Sequence, residues 1–328
     1  MKSVDALIPI DTDHCQLCAG QLARWLMMPI DPIKNTRSQY TNAMRCVECN
    51  VGTVRPVPSA CEVADFYRLD TYYTHGTSHI VDIPPTIAER ILVKLAWHLD
   101  HSKHFSTKTV SGILPIGAKV VDLGCGDGRL IGELQQAGFD VIGVEPDVSA
   151  QEMPISNTVN IVQGTAEDLP TGLTPGTFDL VVMSHSLEHC RDPGRTINNA
   201  AALLKPDGWL YCEVPNCSAK HFRTFTVTST MFDAPRHLQF FGPANLKRLF
   251  EKRGFIVERR LFSGYTRQFQ SSWRTWESTI WKRARLLEPG FPARRHSFAR
   301  SIGLFISTAG ASAEAKYDSV GLLARKAA

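Results

Sequence analysis

From Lys119 onward the chain alternates short apolar runs with segments of helical period, and this alternation restricts the fold more than any other feature. Residues 119–123 (KVVDL) read as a buried strand; a helix starting at Asp127, with Leu130, Ile131 and Leu134 inward, is stopped by Gly138. Further strands are expected at 140–145 (DVIGVE), 159–163 (VNIVQ), 178–183 (FDLVVM), 209–214 (WLYCEV), 255–261 and 320–325 (VGLLAR). Asp192-Pro193 opens a helix that runs to Leu204, and residues 205–208 (KPDG) end it; Pro243 opens another that Gly254 closes. Strands separated by helices give a mostly parallel sheet with helices on both faces.

The region upstream has a different character. Cys15-x-x-Cys18 and Cys46-x-x-Cys49 lie 27 residues apart among Pro, Asn and Asp, with little helical periodicity. The chain is 43% hydrophobic and 21% charged, with a net charge of +4, a mild balance that does not point to nucleic acid. The N-terminal residues lack the apolar core of a signal peptide, and no stretch is long enough to span a bilayer, so a cytoplasmic location is expected. In that reducing setting, paired CxxC units read as four thiolate ligands to a structural Zn2+, closed to chemistry, with unrelated cysteines or a redox pair as the alternative. Residues 61–76 are rich in Tyr and Phe, and Pro84-Pro85-Thr86 precedes a helix with Ile87, Ile91, Leu92, Leu95 and Leu99 on one face. His98, His101 and His104 recur every third residue, which suits solvated histidines more than a second metal site. The expected organisation is a zinc-binding and aromatic module at 1–75, an α/β core at 76–262, a helical basic insertion or lid at 263–311, and a final core strand at 312–328.

The loop VVDLGCGDG (120–128) joins the first core strand to the first helix. Its glycines fall at 124, 126 and 128, which is not the GxGxxG of a pyrophosphate cradle. They leave backbone bare at the carboxyl end of the sheet, with Asp122 beside them. A carboxylate there suits the ammonium of S-adenosylmethionine better than a dinucleotide. Glu145, ending the second strand 23 residues later, can accept both ribose hydroxyls. Residues 164–168 (GTAED) follow the third strand and can frame an adenine.

With those motifs in view, DLGCGDG, GVEPD, GTAEDLP, FDLVVMSHSLEH and LLKPDGWLYCEVPN together resemble a class I S-adenosylmethionine-dependent methyltransferase. The likeness is greatest to the bacterial group with an N-terminal four-cysteine module and a later HLxxF segment; it covers about residues 10–262 and the last strand. The resemblance implies a Rossmann-like seven-stranded sheet in the order 3-2-1-4-5-7-6, the last-formed strand antiparallel. It implies cofactor contacts at Asp122, Gly124, Cys125, Gly126, Glu145, Pro146, Ala166 and Ser184. The family's acid directly after the third-motif glycine is Thr165 here, which leaves Glu167 as the adenine-facing candidate.

The methyl of a sulfonium is already electrophilic, so the protein must align an unprotonated nucleophile with it. Candidate bases are His185 and His189, in the loop that lies beside the cofactor methyl in the family, and His237 in DAPRHLQFF (233–241). Each has a plainer alternative: His185 and His189, with Glu188, can simply fix their loop, and His237 can belong to a loop packed on Phe240 and Phe241. Arg236 is a candidate anchor for an acidic substrate, and Tyr67, Tyr72 and Tyr73 can roof the acceptor pocket or pack in the core. Between Arg259 and Arg300 stand ten basic residues and two acids, and Trp273, Trp276 and Ile280 share a helical face. A lid, a peripheral membrane contact and a packed amphipathic helix all fit that pattern.

Methyl transfer to a small-molecule acceptor is the leading expectation, to oxygen before carbon, with a saccharide or secondary metabolite as substrate. An RNA methyltransferase and an inactive zinc-ribbon binding protein are the rivals; the dispersed charge speaks against the first, and the intact Asp122, Gly124, Gly126 and Glu145 against the second.

Overall fold

The computed structural model describes residues 14–67, 80–147 and 159–327. Its first part is an antiparallel meander of β1 (Leu22–Met27), β2 (Asn42–Cys46) and β3 (Gly52–Val54). The sequence pattern shows only turn punctuation here. These strands are short, and a bulge between Arg24 and Leu26 breaks the period-two alternation that would reveal β1. Helix α1 (Ala60–Phe66) follows, started by a Ser59–Glu62 capping box.

Helix α2 (Ile87–His98) corrects one expectation. A Thr86–Glu89 capping box starts it as the sequence suggests, yet it is Glu89, Leu92 and Ala96 that turn inward. Ile87, Ile91 and Leu95 stay exposed at 78%, 56% and 47%. The inward face is selected by Glu89, whose carboxylate both caps α2 and pairs with Arg274 of a later helix. Helix α3 (Thr107–Ser111) leads into the core.

The core runs β4 (Lys119–Leu123), α4 (Arg129–Gln136), β5 (Asp140–Glu145), β6 (Ile161–Gln163), β7 (Phe178–Ser184), α5 (Pro193–Leu203) and β8 (Leu204–Pro215). It continues with α6 (Lys220–Phe225), β9 (Gln239–Phe240), α7 (Pro243–Lys252), β10 (Phe255–Ser263), α8 (Ser271–Leu287), α9 (Phe298–Thr308), α10 (Ala313–Lys316) and β11 (Ser319–Lys326). Seven strands form one sheet in the order β10-β11-β8-β7-β4-β5-β6. The pairs among β4 to β8 are parallel, and β11 is antiparallel to both β8 and β10. This Rossmann-like arrangement is the strand order that the family resemblance implies. The central strands are continuous apolar runs because helices cover both faces: Val120, Val121, Leu123, Leu180, Val181, Val182, Leu210 and Cys212 are fully buried. Helix α4 begins two residues later than the sequence suggests. Gly128 sits at its cap with φ +76°, and the Asp127 carboxylate accepts the Arg129 amide instead of starting the helix itself.

Two features of the fold position the site. The two-residue strand β9 pairs with β3, so the N-terminal sheet is completed by the core segment after His237, in the order β1-β2-β3-β9. Helix α8 is fastened to the segment after α6 by Glu277, which is fully buried. One Glu277 oxygen accepts the Thr230 amide at 2.8 Å, and the other meets His221 Nε2 at 3.2 Å and His296 Nδ1 at 2.6 Å. Among the described residues, no helix is long and apolar enough to cross a membrane.

Candidate functional site

A cavity of about 1390 Å³ opens at the carboxyl ends of β4, β5 and β7. That exceeds the usual range for a single small-ligand pocket and leaves room for two molecules side by side. Its first half is built by the glycine loop. Gly124 has φ +87°, and a Cβ on it would stand 2.6 Å from that of Ser186, so β4 can turn past the β7 loop only with glycine here. Gly126 has φ +54° and nothing within 4 Å of where its Cβ would be. Its amide donates to Glu145 Oε2 at 2.8 Å, while Glu145 Oε1 accepts the Asp147 amide at 3.1 Å.

Asp122 is 2% exposed, and its Oδ1 is buried without a hydrogen-bond partner. Burial, and then the neighbouring Glu145 carboxylate, push its pKa up to about 7. Burial also raises Glu145, against the pull of the two amides it accepts. A buried carboxylate lacking a partner, facing bare backbone and a second carboxylate, fits a ligand that brings its own cation and hydroxyl donors. Those are the features of the amino and ribose ends of S-adenosylmethionine. Cys125, Pro146, Ala166 and Ser184 line the same half.

Glu167 also borders the cavity, and each of its carboxylate oxygens accepts a backbone amide. One oxygen accepts the Arg191 amide at 3.1 Å and the other the Asp192 amide at 2.7 Å, ahead of α5. Glu167 thus holds the loop before α5 while bordering the cavity at the wall where the sequence places an adenine contact. Thr165 and Ala166 remain at that wall.

The other half is built by the loop after β7 and the segment before β9. His185 takes φ +53°, a strained value for a side-chain-bearing residue, which turns its ring into the cavity. Its Nδ1 lies 3.2 Å from Glu188 Oε1, its Nε2 lies 3.9 Å from Glu213 Oε1, and the side chain is 39% open. Burial pulls the imidazole pKa down, but the hydrogen bond to Glu188 and the charges of Glu188 and Glu213 more than reverse it, so the net shift is upward. His189 shifts the other way, to about 4, chiefly through burial. His189 Nδ1 meets the Tyr67 hydroxyl at 2.6 Å and the Arg236 carbonyl at 3.1 Å. His237 Nδ1 lies 3.0 Å from the Met231 carbonyl, and the two imidazoles meet edge to face with centroids 4.9 Å apart. Tyr67, Val63 and Ala64, with Trp273, Trp276 and Ile280 of α8, add a largely apolar wall. Tyr72 and Tyr73 lie outside the described residues.

Arg236 is not on this wall. It is fully buried, with its guanidinium forked onto Asp31 at 2.9 and 3.0 Å and onto Asp233 at 2.8 to 3.1 Å. All three guanidinium nitrogens are used, so the expected anchor for an acidic substrate is instead a clamp between the N-terminal module and the core. Sequence reasoning missed its partner because Asp31 is 205 residues away.

The four cysteines of the module converge, with all four sulfurs within 4.8 Å of one another. Cys15 and Cys49 are 3.6 Å apart and Cys18 and Cys46 3.5 Å, and none of the four is in a disulfide. The Cys49 hydrogen bond, the largest influence on Cys15, lowers its pKa to about 5, while Cys49 is raised. Two other groups of His and Glu converge among the described residues, Glu188 with His189 and His237, and His221 with Glu277 and His296; the repeat of His98, His101 and His104 forms no such group.

Residues 99–259 match the model of a protein family described as a methyltransferase domain. Curated relatives include the ubiquinone biosynthesis O-methyltransferase of Haemophilus ducreyi, 39% identical over 120 residues, which are 34% of this chain and 51% of that protein. The protein of the same name from Thiobacillus denitrificans is 30% identical over 156 residues, 43% of this chain and 66% of that one. The chain therefore spans about half to two thirds of the length of these relatives. Among solved structures, a SAM-dependent methyltransferase from Thermotoga maritima, described as a possible histamine N-methyltransferase, overlaps with a TM-score of 0.43 at 21% identity, covering 73% of this chain and 91% of that one.

Proposed function

We propose that the chain, whose residues 99–259 match the methyltransferase-domain model, uses S-adenosylmethionine to transfer a methyl group to the hydroxyl of a small molecule with an apolar body. The observation that carries this reading is the two-sided cavity. Asp122, Gly126 and Glu145 stand on one side, His185 with its carboxylate partners on the other, and the space between suits a donor and an acceptor together. Bound there, S-adenosylmethionine supplies a methyl on a positively charged sulfur. Asp122 receives the donor's ammonium and Glu145 its ribose hydroxyls. The Gly126 backbone gives close approach without a side chain in the way.

His185 takes the proton from the acceptor hydroxyl. The oxygen so freed would attack the methyl carbon of a bound donor, the carbon–sulfur bond breaking with its electron pair left on sulfur. Glu188 and Glu213 stabilise the imidazolium that results. Trp273, Trp276, Ile280 and Met231 favour an acceptor with aromatic or aliphatic bulk and exclude water from the reacting oxygen. The relatives' name supports oxygen as the methylated atom.

The four thiolates are assigned to a structural Zn2+, whose tetrahedral preference suits four converging sulfurs with no open position. That ion fixes the meander which pairs with β9, so the module holds His237 and its neighbours in place. Calorimetric titration with S-adenosylmethionine tests the reading. One donor per chain is expected, with at least tenfold weaker binding in Glu145→Ala. A wild-type protein that takes up no donor is not the enzyme proposed here.

A further inference from the structure

We propose that Glu188, His189 and His237 form a second, open site for a first-row divalent cation beside the methyl donor, able to hold the acceptor's oxygen. One carboxylate oxygen and one ring nitrogen from each histidine lie within 4.8 Å of one another. Two imidazoles and one carboxylate are a donor set for Zn2+ or Fe2+, and three protein ligands leave coordination positions free.

Two further observations point to a ligand. Glu188 is 1% exposed, and its Oε2 is buried with no hydrogen-bond partner, while Oε1 faces His185. A buried carboxylate oxygen is rarely left so unless something absent from the protein chain satisfies it. His237 has its Nδ1 against the Met231 carbonyl at 3.0 Å, and His189 Nδ1 faces both the Arg236 carbonyl at 3.1 Å and the Tyr67 hydroxyl at 2.6 Å, two oxygens able to accept its proton. Donation from Nδ1 to a carbonyl is how a metal-binding imidazole is oriented, with Nε2 left as the lone-pair nitrogen.

The backbone holds the three ligands in register. The Leu238 amide donates to the Glu188 carbonyl at 2.7 Å, tying the loop after β7 to the segment before β9. Leu238 in turn accepts the Val54 amide at 2.8 Å, so the N-terminal module braces the same place. The His221–Glu277–His296 group makes an instructive contrast: both of its carboxylate oxygens are engaged, and the distal nitrogens meet Ser229 and Ser301 hydroxyls. It is closed on itself and needs no ion.

A cation at Glu188, His189 and His237 would coordinate the acceptor hydroxyl and lower its pKa, easing proton loss to His185. This use rests on the methyl-transfer reading; occupancy of the site does not. The test is calorimetric titration of Zn2+ into protein that already holds one zinc per chain by elemental analysis. One further equivalent is expected, with at least tenfold weaker uptake in both Glu188→Gln and His237→Ala and the first zinc retained. His237→Ala keeps the test informative should Glu188→Gln fail to fold. No second equivalent in the wild type, or uptake that survives both substitutions because it lies on His98, His101 and His104, overturns the proposal. Donor titration of the same samples separates this failure from a failure of the methyl-transfer reading.

Discussion

Asp122 makes donor binding a titration experiment. Its carboxyl is buried beside Glu145 and its pKa stands at about 7, against 3.8 for an ordinary aspartate. For a carboxyl raised in the folded state, the folded protein binds the extra proton between those two values, and stability falls as pH rises through them. A shift of this size corresponds to a cost on the order of 4 kcal/mol at pH 8, held at the site until a cation arrives. The donor's ammonium supplies that cation, so binding favours the ionised form and releases a proton. If only the ionised form binds tightly, the apparent Kd rises about twofold at pH 7, about tenfold at pH 6 and about 100-fold at pH 5, relative to its value well above the pKa. Calorimetry in two buffers of different ionisation enthalpy reads both quantities, the affinity and the protons released. Asp122→Asn adds an independent check, since it should be more heat-stable than the wild type at pH 8 without donor, yet bind donor weakly and without the pH dependence. An affinity that stays flat from pH 8 to pH 5, or an Asn variant that binds as the wild type does, refutes the argument.

Three other outcomes follow from the packing. Arg236→Met leaves the Asp31 and Asp233 carboxylates without their cation in a buried seam, and should cost about 3–5 kcal/mol in urea unfolding; a loss confined to KM would instead restore the substrate-anchor role. Chelation of the Zn2+ proposed at the four cysteines should speed amide hydrogen exchange at residues 237–241, because Gln239 and Phe240 pair with Thr53 and Gly52 of the module; unchanged exchange there would separate the module from the pocket. Glu277 faces His221 and His296, and although burial raises its pKa their opposing pull lowers it from 4.5 to about 2. Its folded value is depressed, so its contribution, about 3 kcal/mol, is present above pH 4.5 and lost as pH falls toward 2. Acid unfolding of Glu277→Gln should show a shallower slope across that window than the wild type.

What could be read from the sequence divides along a physical line. The parallel strands are buried on both faces, so each is an uninterrupted apolar run, and KVVDL and DVIGVE mark β4 and β5 to the residue. Glycines and acids at the ends of those runs mark the donor side for the same reason: the chain must turn there, and only particular residues tolerate the turn. The contacts that assemble the acceptor side leave no such trace. β9 is two residues long and pairs with a strand some 185 positions earlier, and the fork of Arg236 onto Asp31 is as distant. Neither contact has a local period or motif. Glu167 shows what a motif leaves out: its position predicts a ligand contact, but not the two amides ahead of α5 that its carboxylate also accepts. The exposed face of α2 shows that a regular apolar spacing does not say which side is buried when a charged residue on the other side has a partner waiting. On the proposed reading, the donor side lies in segments whose form is dictated locally, whereas the acceptor side joins the loop after β7 to the 229–237 segment and α8 from distant parts of the chain. Substitutions at Met231, Trp273, Trp276 and Ile280 should accordingly change the acceptor and leave donor affinity intact.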